Sequence, residues 1–176
     1  MNLHDALTTT RSVRKRLDFD RPVELSTVKK CLELALQAPT GSNMQGWHFM
    51  VLTDQKAKDV VADAYRRAFE FYVKNMVPGQ PSFGAEDPRT QSKDRVVTSA
   101  VYLAQNIHRA PVMVIPCIQG RVETAGQLSQ ASQYGSILPA AWSFQLALRA
   151  EGMGTCWTTL HLLHEKEVSQ ALAGCC

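Results

Sequence analysis

The chain has few features that would assign it to a familiar class by composition alone. No Gly-x-Gly-x-x-Gly or Walker fingerprint opens a helix after a strand, and Gly152-Met153-Gly154 follows a helix instead, which disfavours a doubly wound dinucleotide fold. A Gly-x-Ser-x-Gly elbow, a His-Glu-x-x-His pair and a cysteine with a neighbouring activator are all missing. An enzyme built on this sequence therefore relies on a cofactor for its chemistry. The five cysteines, Cys31, Cys117, Cys156, Cys175 and Cys176, are odd in number and lack Cys-x-x-Cys spacing, so no zinc site is expected. Three lie in apolar runs and read as reduced core thiols, and the adjacent pair Cys175-Cys176 is too close for an ordinary disulfide framework. No apolar stretch reaches membrane-spanning length, and Met1-Asn2-Leu3-His4-Asp5 shows no charged-then-apolar leader, so the expected compartment is the cytoplasm. A net charge of +3 is too small for a dedicated nucleic-acid binder.

What remains is globular. With 176 residues, 45% hydrophobic and 20% charged, the chain can bury one sizeable core, and a single domain over residues 1–176 is expected. The positive charge is concentrated: seven basic residues against three acidic ones lie between Arg11 and Lys30, a candidate anion site. Within it, Arg11-Ser12-Val13-Arg14 sets two forked guanidiniums around a hydroxyl, a set able to clamp a phosphate, although a solvated basic turn would look the same.

The other informative stretch is Pro39-Thr40-Gly41-Ser42-Asn43-Met44-Gln45-Gly46-Trp47. Pro39 excludes the helical conformation for Ala38, while Gly41 and Gly46 permit positive φ or close backbone approach. Thr40, Ser42, Asn43 and Gln45 add neutral donors and acceptors suited to a planar, multiply hydrogen-bonding heterocycle. An ordinary helix-to-strand connection has the same composition.

Hydrophobic periodicity places the remaining elements. Leu3, Ala6 and Leu7 predict a short helix ending among Thr8-Thr9-Thr10, and Ser26 or Thr27 is expected to cap a helix running up to Pro39. Continuous apolarity over Trp47 to Thr53 predicts a strand covered on both faces, in which His48 has no assigned role. Asp54 caps a helix reaching Lys74, and the proline- and glycine-rich segment Val77 to Pro88 is a long loop or lid. Asp87-Pro88 opens the next helix. Val112 to Ile118 is a second strand, with Pro116 marking an edge or bulge. Ser132 to Glu151 is expected to be the most buried helix, kinked at Pro139 and stopped at Gly152; Gly154 to Thr159 is expected to be a third strand, and a last helix covers His164 to Leu172.

Arg11-Ser12-Val13-Arg14, Asp20-Arg21-Pro22-Val23, the stretch from Ala38 to Trp47 and Gly152-Met153-Gly154-Thr155-Cys156-Trp157, in this order and over nearly the whole chain, resemble the FMN-dependent nitroreductase family. The resemblance implies an α+β fold with a central, mainly antiparallel sheet flanked by helices, assembled as an intertwined homodimer with two FMN sites that both subunits build. It implies that Arg11, Ser12 and Arg14 hold the FMN phosphate and ribityl end. Pro39, Thr40, Ser42 and Asn43 would then reach the flavin of the partner subunit, with the backbone of Thr158 and Thr159 near flavin N5. The implied reaction passes hydride from NADH or NADPH through the flavin to a nitroaromatic, a quinone or a similar small electrophile, by ping-pong turnover and with no side-chain acid or base. Phe69, Phe71, Tyr72 and Phe83 are candidate pocket walls. A non-catalytic flavin-binding or storage module, a reductive dehalogenase and a flavin-modifying enzyme are the alternatives on the same fold. The family's further C-terminal strand and basic tail have no counterpart after Ala173-Gly174-Cys175-Cys176, so Arg11 and Arg14 are expected to carry more of the phosphate and FMN to bind more weakly.

Overall fold

The computed structural model describes residues 1–79 and 81–173. Its elements are α1 (Leu3–Thr9), α2 (Leu25–Ala35), β1 (Trp47–Leu52), α3 (Gln55–Asn75), α4 (Pro88–Asn106), β2 (Met113–Ile118), α5 (Gln127–Ala150) and α6 (Glu165–Ala173). They fall into two compact units. One contains Met1–Ser12, Arg21–Leu52 and Val112–Thr155; the other contains Val13–Asp20 and the described residues of Thr53–Pro111 and Cys156–Cys176.

In the first unit β1 and β2 form an antiparallel pair in which Trp47 faces Ile118, Phe49 faces Pro116 and Val51 faces Val114. Side chains two apart along a strand share a face, so these six residues line one side. That side packs against α2 and α5: Val28, Cys31 and Ala35 meet Phe144 and Leu148, with Val51 and Val114 against them. Trp47 joins Ile137 and Ala140 beside Phe49 and Ile118. Half-buried Phe49 and buried Phe144 are tilted at 6.2 Å, and a fully buried side chain such as Phe144 contributes roughly 1.5–3 kcal/mol. The opposite side leaves His48 exposed and Met50, Ile115 and Cys117 half-buried, so the continuous apolar runs are not fully covered on both faces. Pro116 is tolerated because its strand lies at an edge, and the register continues through it without a bulge.

In the second unit α3 presents an alanine-rich stripe, with Ala57, Val61, Ala62, Ala64, Tyr65 and Ala68 buried. Small side chains let α4, α6 and the 3-10 turn Leu160–His164 pack closely on it. Asp54 caps α3 by accepting from the Ala57 amide, and Asp87 caps α4 by accepting from the Arg89 amide with Pro88 in the first turn.

Several sequence expectations are corrected. Helix α2 begins at Leu25 with Glu24 at its N-cap and no side-chain cap bond, so neither Ser26 nor Thr27 serves; the Thr27 and Val28 amides bond to the Glu24 carbonyl. The segment Gly154 to Thr159 forms no strand. It leaves α5 through a Schellman turn, in which Gly152 (φ 80°) and Met153 bond to the carbonyls of Arg149 and Leu148. Helix α5 begins at Gln127, ahead of the expected Ser132, and runs to Ala150 with Pro139 inside it. It is not apolar-buried all round, since Leu128 (84%), Leu138 (46%) and Trp142 (38%) are exposed. Cys31 is buried and Cys117 half-buried, both as free thiols, and Cys156 is half-buried. Cys175 and Cys176, and the chain end on which weaker FMN binding was expected, lie outside the described residues. No described helix is long and apolar enough to cross a membrane.

Candidate functional site

The connection from α2 to β1 carries unusual backbone geometry. Ser42 (φ 50°), Asn43 (φ 54°) and Gln45 (φ 48°) all lie in the left-handed region, which costs non-glycine residues on the order of 1 kcal/mol or more each. Positive φ thus falls on the hydrogen-bonding side chains and not on Gly41 or Gly46. At Gly41 a Cβ would stand 2.2 Å from Ser132 Oγ, so any larger residue there would make that hydroxyl swing aside.

The loop holds this shape through its own polar groups. The Asn43 amide donates to the Thr40 carbonyl (3.1 Å), the Met44 amide to the Gly41 carbonyl (3.1 Å) and the Gln45 amide to Thr40 Oγ1 (3.1 Å), while Gln45 Nε2 donates to Asn43 Oδ1 (2.8 Å). Two bonds tie it to the rest of its unit. The Gly41 amide donates to Ser136 Oγ (2.9 Å), and the Gln119 amide donates to the Gly46 carbonyl (2.8 Å). Ser42, Asn43, Met44 and Gln45 are exposed. Asn43 Nδ2 and the Ser42 and Thr40 hydroxyl protons therefore remain as donors for a ligand.

In the same unit Arg11 Nη1 donates to the Thr10 carbonyl (2.7 Å), and Ser12 is exposed. Among the described residues no hydrogen bond joins Arg11 or Ser12 to the loop at Pro39, Thr40, Ser42 and Asn43. Arg14 belongs to the second unit, in a segment fixed by Phe19. That ring is buried, stacks on Tyr102 at 6.4 Å and lies 5.5 Å from the Arg109 guanidinium, which also pairs with Asp20 at 2.9 Å. Arg14 Nη1 approaches Ser99 Oγ at 3.4 Å. Among the described residues no carboxylate pairs with Arg11, Arg14, Lys15 or Arg16, so this stretch retains its positive charge.

Thr158 is half-buried and Thr159 exposed, the latter heading the turn Leu160–His164, where its carbonyl accepts from the Leu162 amide (3.0 Å). The Tyr65 hydroxyl, which sequence reading placed only in a helical core, is influenced by both Thr158 and Arg14. Burial raises its pKa above the ordinary tyrosine value, while a Thr158 hydrogen bond and the Arg14 charge pull it back and Cys156 pushes it up. A lone tyrosine on an apolar helix face carries no sequence signal for such a role. Of the expected pocket walls, Phe69 stacks on Tyr65 at 6.4 Å, Phe83 lies under Arg89 at 3.4 Å, Phe71 is exposed and Tyr72 is half-buried. An open hollow of about 430 Å³ between α3 and α6 is rimmed by Asp59, Asp63 and Glu167 against Lys56, the wrong charge for a phosphate.

The nitroreductase family model matches residues 7–173. The chain belongs to the nitroreductase family. Over 65 residues it is 34% identical to Protein DrgA of Synechocystis sp. (strain ATCC 27184 / PCC 6803 / Kazusa), a match that spans 37% of this chain and only 30% of that relative's length. A crystal structure of a BluB-like flavoprotein from Clostridium difficile 630 superposes with TM-score 0.68 at 21% identity, covering 99% of this chain and 81% of that one. Iodotyrosine deiodinase bound to FMN and 3-iodo-L-tyrosine gives TM-score 0.65 at 20% identity over 90% and 74%. The FMN-dependent nitroreductase NfnB from Mycobacterium smegmatis in complex with NADPH gives 0.57 at 22% over 87% and 72%. These likenesses establish a nitroreductase-like fold of helices around a small antiparallel sheet.

Proposed function

We propose that this nitroreductase-family chain is an FMN-dependent oxidoreductase that uses NADPH or NADH to reduce a nitroaromatic, a quinone or another small electrophile. The observation that carries this reading is the strained loop at Ser42, Asn43 and Gln45, which spends backbone strain to present neutral donors to solvent. Such donors suit an isoalloxazine edge, and the uncompensated cations at Arg11 and Arg14 suit a dianionic phosphate, so the residues present fit FMN. In this reading Arg11, Ser12 and Arg14 hold the phosphate and ribityl end. Pro39, Thr40, Ser42 and Asn43 contact the ring system, and the Thr158 and Thr159 backbone lies near flavin N5. Bound there, FMN would supply the hydride chemistry. The protein's share is to orient the ring, neutralise the phosphate and exclude water, with no side chain moving a proton.

The homodimer is part of the proposal. Leu128, Tyr134, Leu138 and Trp142 on α5 expose apolar surface that a second copy would cover, and the loop and the basic segment would then serve one flavin from opposite chains. Action of residues 1–176 as one domain, in the cytoplasm and without nucleic-acid or membrane partners, belongs to the same reading.

The test is anaerobic titration of the flavin-loaded protein with NADPH and NADH. Bleaching of the flavin absorbance, followed by reoxidation on adding a nitroaromatic or quinone, is expected. A flavin-bound protein that neither nucleotide reduces would contradict the oxidoreductase reading and leave a flavin-binding or storage module. In a panel of electron acceptors, loss of a substituent or breakdown of the flavin would place the chain among the other chemistries of this fold.

A further inference from the structure

Both ends of the strained loop are held, directly or through one residue, by neighbouring positions of a single helix. Ser136 on α5 is 5% exposed, and its hydroxyl is fully engaged: it donates to the Ser132 carbonyl (2.7 Å) and accepts from the Gly41 amide (2.9 Å). Gln133, one turn earlier on the same face, donates through Nε2 to the carbonyls of Gln119 and Gly120. Gln119 in turn gives its amide to the Gly46 carbonyl (2.8 Å). Gly120 sits at φ 94°, and a Cβ there would lie 3.4 Å from Gln133 Nε2, so the side chain fills the space that glycine leaves. Ser136 thus fixes the start of the loop and Gln133, through the end of β2, fixes its finish.

We infer that Ser136 and Gln133 are positioning residues for the flavin-facing loop, holding Ser42 and Asn43 in their left-handed conformation before any ligand arrives. The inference rests on the reading of this loop as the ring-binding side of an FMN site. A left-handed serine and glutamine persist only where surrounding structure over-determines them, and the loop's internal bonds cannot set its orientation on the unit. The two α5 side chains supply that reference. Ser136 is buried and Gln133 is committed to the Gln119 and Gly120 carbonyls, so their effect is on affinity through the loop's preformed shape.

The test compares wild type with Ser136→Ala and Gln133→Leu in two measurements. Hydrogen exchange on the flavin-free protein reads the clamp itself. Ser136→Ala is expected to accelerate exchange of the Gly41 amide by at least tenfold while amides within β1 and the rest of α5 keep their protection. Titration with FMN and with riboflavin reads its consequence. Ser136→Ala is expected to weaken both about tenfold, the effect of one part-buried donor left unpaired, and Gln133→Leu about threefold. The ratio of FMN to riboflavin affinity stays unchanged, because the clamp acts on the ring side and leaves the phosphate contacts alone; a general loss of stability would raise exchange throughout the unit. Unchanged Gly41 exchange overturns the clamp. Faster Gly41 exchange with wild-type flavin affinity overturns the positioning role while leaving the FMN reading intact. If wild type binds neither flavin, the FMN reading fails and this inference falls with it.

Discussion

The loop at 39–46 and the segment at 13–20 are both short, irregular and rich in polar residues, yet they are held in opposite ways. The loop carries no formal charge and stores strain at three left-handed residues, restrained by a net of neutral hydrogen bonds. The basic segment stores no such strain. It is pinned by one buried aromatic, Phe19, wedged between Tyr102 and Arg109, with the Arg109–Asp20 pair closing over it. The difference matches what each is proposed to bind. A flat heterocycle demands donors at fixed angles, which needs a rigid backbone, whereas a phosphate accepts cations from many directions and tolerates a segment fixed at one point.

The comparison predicts where each region breaks. The largest effect is expected from Phe19→Ala, which removes the buried anchor of the basic segment and should cost about 3 kcal/mol in urea denaturation. A cost below about 1 kcal/mol would mean that the segment is fixed by its charges instead. Ser42→Gly acts in the reverse direction on the loop. It relieves one left-handed residue and should stabilise the protein by up to about 1 kcal/mol after the added freedom of unfolded glycine, while flavin affinity falls. Equal or tighter flavin binding in that variant would show that the strain serves no binding purpose.

Proton linkage separates the two units further. Burial depresses the pKa of His161, in the second unit, below the ordinary histidine value. Its contribution to stability is complete above about pH 6.5 and is lost as pH falls towards the depressed folded value, because the unfolded chain takes up the proton first. His161→Asn should flatten this acid limb of a stability-against-pH curve. Burial raises Cys31 in the first unit and Tyr65 in the second, so both units lose stability as pH rises through about 8.5 to 10, where the unfolded groups ionise before the folded ones. The smallest effect is expected from Lys30→Met. The Lys30–Glu151 pair at 2.9 Å is solvent-exposed, and its loss should leave the melting temperature unchanged within error.

Much of the fold is legible locally because caps and stops are local chemistry. Asp54, Asp87-Pro88 and Gly152 announce their helix ends within four residues, and the structure uses each as expected. Glu24 in place of Ser26 or Thr27 shows the limit of such signals, since several cap-competent residues stood in a row and backbone geometry chose the one without a side-chain bond. Gly154 to Thr159 has the β-branched and aromatic content of a strand but pairs with none, a matter decided by distant chain. The site divides in the same way. The polar inventory of the loop could be read directly, but the left-handed φ at Ser42 and Gln45 has no side-chain signature, and only Asn43 is a residue type that favours it. Ser136 and Gln133 were hidden by sequence separation from Gly41 and Gly120. Ser132, Gln133 and Ser136 do not stand out in a helix whose first half is mostly polar, with Gln127, Ser129 and Gln130 before them.

In the proposed site the neutral loop reads the ring and the basic segment reads the phosphate. Parallel titration of wild type and Arg14→Ala with FMN and riboflavin tests this division most directly. Wild type is expected to prefer FMN, and Arg14→Ala to lose on the order of 2 kcal/mol of FMN affinity with riboflavin affinity unchanged. Equal binding of FMN and riboflavin by wild type, or undiminished FMN affinity in Arg14→Ala, would contradict it.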